Sequence, residues 1–206
     1  MAFSQEKDFG IWYGVSSEIK LSKKIDLDLS TEIRTFENAS RMEEAFLEGG
    51  ATWNFSKYIA ASGSYRVAKN LEDDNSYYFQ HKIFLALKGK LPVNNFTFTG
   101  TLRFQSRSKT YIEDVDDEDL DYTGKVKLKA IYKTPAFFLN PYIYSEAFLP
   151  MFSDQSDAVS KVRFSAGVEL KITQVHSVEL GYIYQRDYTP RLSDLNIISL
   201  NYNISF

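Results

Sequence analysis

Apolar and polar residues alternate with a period of two along most of this chain. Near its end, Ile198, Leu200 and Tyr202 fall on one side of an extended strand, whereas Ser199 and Asn201 fall on the other. A period of two indicates a β-strand with one apolar and one polar face. Soluble antiparallel sheets show the same alternation, but a chain built this way throughout and ending on an aromatic residue is typical of a membrane β-barrel.

Eleven segments carry the alternation, with almost no helical pattern between them. They span residues 10–22, 24–36, 45–55, 58–67, 77–89, 96–107, 123–133, 137–149, 162–172, 177–187 and 195–206. Their lengths match the roughly 9–11 residues that a tilted strand needs to cross a membrane. The pattern predicts an all-β fold, namely a transmembrane antiparallel up-and-down β-barrel of 10–12 strands, formed by a single domain over residues 1–206.

The connections between these segments alternate between short and long. Short ones lie at 22–24, 56–58, 91–95, 134–135 and 173–176, and long ones lie at 37–44, 70–76, 108–121, 151–160 and 188–194. Short periplasmic turns and longer outer loops are typical of outer-membrane barrels. Such barrels usually have an even number of strands, so ten or twelve are expected although eleven segments are found. The last strand should close the barrel against the first, around residues 11–21.

Composition narrows the class of protein. The chain has 206 residues with 14 Tyr and 16 Phe, which suits aromatic girdles at two membrane interfaces. No run approaches the roughly 18 apolar residues of a spanning helix. The net charge of −3 does not favour nucleic acid as a partner, and the absence of cysteine excludes disulfides and thiolate metal sites. Residues 1–8 are either the remnant of a signal peptide or a disordered N-terminus.

Two stretches resemble a known family. KLSKKIDLDLSTEIR (residues 20–34) and NFSKYIAASGSYRVAKN (residues 54–70) are similar to the outer-membrane family called domain of unknown function 2490 (DUF2490), whose members occur in Gram-negative bacteria of the Bacteroidota type. The resemblance spans essentially the whole chain. It implies a barrel in the bacterial outer membrane, surrounded by outer-membrane lipids and lipopolysaccharide and inserted by the barrel assembly machinery. It supplies no catalytic residue.

Charged side chains on the inward face carry the strongest functional signal. On the fourth to seventh segments the inward charges are basic: Arg66, Lys82, Lys88, Arg103, Arg107, Lys125, Lys127, Lys129 and Lys133. On the other segments the inward acids are Glu18, Asp26, Asp28, Glu32, Glu48, Glu146, Glu169 and Glu179. The alternation therefore predicts one basic wall facing a mostly acidic wall.

Two interpretations of these walls stay open. The opposite charges can pair across a narrow lumen and fill it, because side chains largely occupy the interior of small barrels. Alternatively, they line a polarised pore or pocket for a small charged solute, since charged rings set selectivity. We therefore expect a small channel or a ligand-binding barrel without a cofactor, and a purely structural or surface-interaction barrel is the alternative.

A lipid-modifying hydrolase is the remaining alternative, and the histidines argue against it. A serine nucleophile needs a histidine on the same strand face. His176 and Ser177 are adjacent and so point to opposite faces. His81 has Ile83 rather than serine two residues on, although a serine on a neighbouring strand could serve. We therefore predict a protein without enzymatic activity.

An acidic run spans residues 113–119 in the longest loop. Its carboxylates could bind Ca²⁺ or bridge through divalent ions to lipopolysaccharide phosphates. However, it lacks the glycine and the spacing of an EF-hand loop. A solvated loop without a bound metal is the expected state.

Overall fold

The computed structural model describes residues 6–72, 74–109, 121–135, 138–152, 159–189 and 192–206. These residues form eleven strands and no helix. The strands are β1 (Glu6–Lys20), β2 (Ile25–Phe36), β3 (Arg41–Asn54), β4 (Ile59–Leu71), β5 (Tyr77–Val93), β6 (Phe96–Lys109), β7 (Asp121–Tyr132), β8 (Leu139–Met151), β9 (Lys161–Lys171), β10 (His176–Asp187) and β11 (Ser193–Ser205). In the described part of the chain no helix is long and apolar enough to cross a membrane, which leaves a crossing by strands open.

The eleven strands close into one barrel in which each strand pairs with its neighbours in sequence. These pairings are antiparallel, and β1 and β11 complete the ring as a parallel pair from Glu6↔Ser193 to Glu18↔Ser205. The expected closure by the last strand is therefore confirmed. The expectation of an even number of strands is wrong. With eleven alternating strands, the first and the last run in the same direction, so the seam must be parallel.

The N-terminal boundary and one loop differ from the sequence prediction. Residues 6–8, which the sequence assigned to a signal-peptide remnant or a disordered N-terminus, pair with β11. The connection predicted at 37–44 is a four-residue turn at 37–40, because β3 begins at Arg41. Glu37 and Asn38 have positive φ angles of 50° and 56°. The Asp8 carboxylate accepts hydrogen bonds from both of their backbone N–H groups, at 2.7 and 2.9 Å, which holds this turn against β1.

The two ends of the barrel differ in their connections. We call the turn end the one where β1–β2, β3–β4, β5–β6, β7–β8 and β9–β10 are joined, and the loop end the opposite one. At the turn end, β5 and β6 are joined by Asn94 and Asn95 alone, and Asn94 has a φ of 51°. Asparagine tolerates this left-handed conformation, which two-residue hairpin turns require.

The wall has an apolar outer face and a mixed inner face. On β11, Leu200 is 43% exposed and Ser199 is 4% exposed, as the alternation predicts. The outer face exposes aromatic and aliphatic side chains on every strand. Inside, Trp12, Ile183, Leu195 and Ile197 form a small buried apolar cluster beside the seam.

Charge is unevenly distributed at the turn end. The segments that form this end, residues 19–25, 54–60, 86–101, 129–140 and 170–178, contain no Asp or Glu. They carry exposed lysines that we call the lysine collar: Lys20, Lys23, Lys24, Lys57, Lys88, Lys90, Lys133 and Lys171. The turn end therefore presents a ring of positive charge below the apolar wall.

A charged site inside the barrel

The strand alternation puts the residues predicted to line the lumen on the inward side. Lys133 follows β7 and is exposed, and neither Lys133 nor Asp26 lines an internal cavity. The remaining basic positions are Arg66, Lys82, Lys88, Arg103, Arg107, Lys125, Lys127 and Lys129. The acidic positions are Glu18, Asp26, Asp28, Glu32, Glu48, Glu146, Glu169 and Glu179.

The separation into a basic and an acidic wall is incomplete. Asp121 lies on β7 within the basic wall and forms an ion pair with Arg107. Arg34 lies on β2 within the acidic wall, 2.6 Å from Glu32. Arg163 on β9 is 3.5 Å from Glu146. Each wall thus holds charges of both signs. Two of these three ion pairs join residues on adjacent strands, and the third joins residues on one strand.

Glu44 is the centre of the most buried ion-pair group, and sequence reasoning missed it. This carboxylate is 4% exposed. It contacts Arg34 at 2.7 Å, Lys82 by a short hydrogen bond and Arg66 at 3.9 Å. Arg66 also contacts Glu48 at 2.6 Å. On β2 to β5, the inward cations Arg34, Arg66 and Lys82 are therefore neutralised by carboxylates of the same strands.

Aromatic rings alternate with these cations around the lumen. Four buried rings belong to Trp12, Phe46, Phe84 and Phe148. The cation-to-ring-centre distances, in order around the barrel, are Arg34–Trp12 4.3 Å, Arg34–Phe46 5.2 Å, Arg66–Phe46 3.5 Å, Arg66–Phe84 5.0 Å, Arg103–Phe84 5.1 Å, Lys125–Phe84 5.5 Å, Lys125–Phe148 4.8 Å, Arg163–Phe148 4.7 Å and Arg163–Trp12 4.8 Å. The contacts return to their starting ring, so they form a closed belt, which we call the cation–aromatic belt.

Such contacts stabilise desolvated cations. A cation within about 6 Å of a ring centre gains roughly 0.5–2 kcal/mol from the ring quadrupole. The rings therefore partly replace the water that the cations lose inside the barrel. They also hold the long side chains against the wall.

Apart from Lys88 near the turn end, three cations in the interior have no ion pair. Arg103, Lys125 and Lys127 make no contact within 4.0 Å with any carboxylate in the described part of the chain. Glu146 stands opposite Lys127 in the β7–β8 register, yet its ion pair is with Arg163. Lys127 instead lies 3.8 Å from the centre of the Tyr144 ring. We call these three residues the unpaired cation cluster.

Two cavities lie on either side of this cluster. The cavity toward the loop end has a volume of about 1230 Å³, and the one toward the turn end has about 710 Å³. Arg103, Lys125, Lys127, Glu146 and Glu179 line both. Nine basic and six acidic side chains line the larger cavity, whereas five basic and six acidic ones line the smaller. The unpaired cation cluster therefore stands between a net-basic and a nearly balanced chamber.

Both histidines contact tyrosine on the outer face. His81 Nδ1 forms a short hydrogen bond with the Tyr65 hydroxyl, and His176 Nδ1 lies 2.8 Å from the Tyr202 hydroxyl. Ser108 stands opposite His81 in the β5–β6 register but is not a hydrogen-bond partner of it. This geometry supplies no serine–histidine pair at either histidine, and the absence of enzymatic activity stays a prediction.

Metal binding is the remaining chemistry that the sequence suggested. The acidic run at 113–119 lies outside the described residues, so its Ca²⁺ hypothesis stays a prediction. Within the described ranges, no group of three or more His, Asp or Glu side chains could hold a metal ion.

The inward aromatic residues are functional residues that sequence reasoning missed. Phe46 lies two residues from Glu44 and from Glu48, and Phe84 lies two residues from Lys82, so strand parity places both rings inside. Their apolar character favours the opposite face. Parity alone, applied without regard to hydrophobicity, would have located them.

Comparison with known proteins agrees with this architecture. No curated protein matches the chain. Among solved structures, the β-domain of the Bordetella autotransporter BrkA is similar, with a TM-score of 0.50 and 11% identity over 81% of this chain and 78% of that one. At this identity the likeness concerns the fold alone. A family model described as "Protein of unknown function (DUF2490)" matches residues 9–196, and the chain therefore belongs to this family.

Proposed function

We propose that this protein is an outer-membrane channel for small anions, in which the unpaired cation cluster selects the solute. The observation that carries the proposal is the position of Arg103, Lys125 and Lys127. They lack ion pairs within the described residues and line both internal cavities. Buried cations usually have a partner, and a mobile anion would supply one here.

The rest of the interior supports anions over cations. A net-basic chamber toward the loop end raises the local concentration of anions. The carboxylates nearest the cluster are engaged elsewhere, since Glu146 contacts Arg163 at 3.5 Å and Glu179 contacts Lys129 at 3.1 Å. The four belt rings are buried, and although Trp12 and Phe148 border the larger cavity, its lining is mainly polar. This lining favours small hydrophilic anions.

The location in the outer membrane rests on the wall of the barrel. Closed barrels satisfy every backbone hydrogen bond without water, which a hydrocarbon environment requires. The outer face is apolar along whole strands and the interior is polar, as in bacterial outer-membrane barrels. Short turns on one side favour a periplasmic position for the turn end.

Bilayer conductance tests the selectivity. In a salt gradient, we expect the reversal potential of the wild-type channel to show an anion preference. Replacing Arg103, Lys125 and Lys127 with Gln should abolish most of it, because the fixed charges between the two chambers are gone. The matched control replaces Lys23, Lys24 and Lys133 with Gln, which removes the same charge outside the cavities. Equal reversal potentials for the two triple variants, or no conductance from the wild type, would reject the proposal.

A pair of substitutions on β11 tests the membrane location. Leu200→Asp places a carboxylate on the outer face, which should cost about 2–3 kcal/mol in lipid. Asn203→Asp places one on the inner face, where Ser16 already donates a hydrogen bond to Asn203 Oδ1 at 2.7 Å. We expect Leu200→Asp to reduce the heat-modifiable form in outer-membrane fractions and Asn203→Asp to leave it unchanged. Normal levels of the Leu200→Asp protein would contradict a lipid-facing wall.

A further inference from the structure

An apolar groove crosses the outer face of the wall near the turn end. One row of paired residues runs through it across β4 to β9: Ile59, Gly89, Gly100, Leu128, Ser145 and Phe164. The groove has a volume of about 800 Å³. Large side chains form its sides, and small residues at the centre of the row form its floor.

The floor is open because two glycines face each other. Gly89 and Gly100 are directly opposite in the β5–β6 register. A Cβ atom added at Gly89 would meet no atom within 4 Å, and one at Gly100 would meet only the Leu128 side chain, at 3.7 Å. The groove is therefore a depression in an otherwise filled apolar surface, and its shape suits a flexible hydrocarbon chain.

One cation of the lysine collar stands at the end of this groove. Tyr58 and the backbone of Lys90 line it, whereas the Lys90 side chain shares the inward face of β5 with Lys88. The backbone N–H of Lys90 donates to the Tyr58 carbonyl at 2.8 Å, which fixes the β3–β4 turn beside β5. Lys57 Nζ lies 4.9 Å from the centre of the Tyr58 ring. The apolar groove thus ends at one exposed lysine and one aromatic ring, in an end of the barrel whose connecting segments carry no acid.

We propose that this groove and the adjoining turn bind an anionic glycerophospholipid, with an acyl chain over Gly89 and Gly100 and the phosphate beside Lys57. Lysines at a membrane surface attract anionic headgroups, and close packing against the open floor holds the acyl chain. Tyr58 lies where aromatic rings settle at a membrane interface. The inference rests on the proposed membrane location but not on anion transport, which uses residues inside the barrel.

Native mass spectrometry of the full chain tests this proposal. The protein is purified in detergent and exchanged with mixed micelles of either phosphatidylglycerol or phosphatidylcholine. We expect phosphatidylglycerol to be retained at one copy per barrel and phosphatidylcholine to be retained several-fold less. Conductance measured on the same preparations reports separately on the proposed channel.

Two variants and two matched controls locate the bound lipid. Gly89→Leu fills the floor, where an added Cβ atom meets nothing within 4 Å, and Lys57→Gln removes the headgroup charge. Both should lose most of the retained phosphatidylglycerol. Gly63→Leu fills an outward glycine on β4 outside the groove, and Lys23→Gln removes one collar charge on the β1–β2 turn. Both should retain it.

The other outcomes reject the proposal. Equal retention of the two lipids would show that the collar selects no headgroup. Undiminished retention by both the Gly89→Leu and the Lys57→Gln variants would place the lipid elsewhere. Dimers that are lost in Gly89→Leu, without retained lipid, would make the groove an interface between two copies of this chain.

Discussion

The interior of the barrel has two halves that use the same cations and rings but differ in their carboxylates. On β2 to β5, Arg34, Arg66 and Lys82 converge on Glu44. On β6 and β7, Arg103 and Lys125 meet the Phe84 ring but no carboxylate within 4.0 Å in the described chain. The first half is internally neutralised, and the second keeps its positive charge available.

Because of this difference, we expect the stability of the barrel and the choice of solute to depend on different residues of the same lumen. Removing one member of a buried ion pair leaves an uncompensated charge and is strongly destabilising. Removing a cation that has no partner leaves nothing uncompensated. We therefore expect the β2–β5 half to govern folding, and the β6–β7 half to govern which solute enters.

The largest expected effect separates the halves directly. Glu44→Gln leaves three cations without their shared anion, so the free energy of unfolding should fall by about 3 kcal/mol or more. Lys125→Gln, the matched change in the other half, breaks no ion pair, and the loss of its ring contacts is offset by the removal of a desolvated charge, so the free energy of unfolding should stay within about 1 kcal/mol of the wild type. Denaturant unfolding in lipid vesicles measures both. Similar losses of unfolding free energy in the two variants would contradict the proposed difference between the two halves.

Phe84 joins the two halves, since its ring lies against Arg66, Arg103 and Lys125. Phe84→Leu keeps most of the apolar volume but removes these contacts, so we expect a loss of about 1–2 kcal/mol. Combined with Lys125→Gln, the loss should be smaller than the sum, because one contact is removed by either change. Strict additivity in the same unfolding measurement would show that the ring does not couple the halves.

A smaller change should make the second half resemble the first. Thr101 stands between Lys88 and Lys127 in the sheet register, so Thr101→Glu brings a carboxylate to the unpaired cation cluster. We expect stability to change by about 1 kcal/mol or less, whereas the anion preference in reversal-potential measurements should disappear. Thr99→Glu, opposite Lys129, is the control, because Lys129 already contacts Glu179. Equal effects on selectivity would contradict a special role for the cluster.

The alternation of apolar and polar residues was sufficient to predict the wall of the barrel, because the sequence of each strand shows which side chains lie on each of its two faces. It placed Leu200 outside and Ser199 inside, and it found all eleven strands. It could not settle the strand number, since the even-number rule for bacterial barrels opposed the count, and the parallel seam depends on pairing between strands at opposite ends of the chain. Glu37 to Ser40 look like a loop in sequence, yet Asp8 makes them a tight turn.

The site was predicted only in part, for a different reason. Parity identifies which charges face inward, but ion pairs inside a barrel also cross between strands that are not adjacent. Lys82 on β5 reaches Glu44 on β3, and Lys129 on β7 reaches Glu179 on β10. Those partners depend on the stagger of the strands and on the diameter of the lumen. The sequence alone therefore could not show which cations are left without a carboxylate.

The parallel seam constrains how this family can change size during evolution. Barrels grow or shrink most simply by one hairpin, which alters the number of strands by two and keeps β1 and β11 parallel. A relative with an even number would have to gain or lose a single strand, and the direction of its closing strand would reverse relative to the first. We therefore expect members of the family with smaller or larger barrels to keep an odd number of strands and a parallel pairing between the first strand and the last.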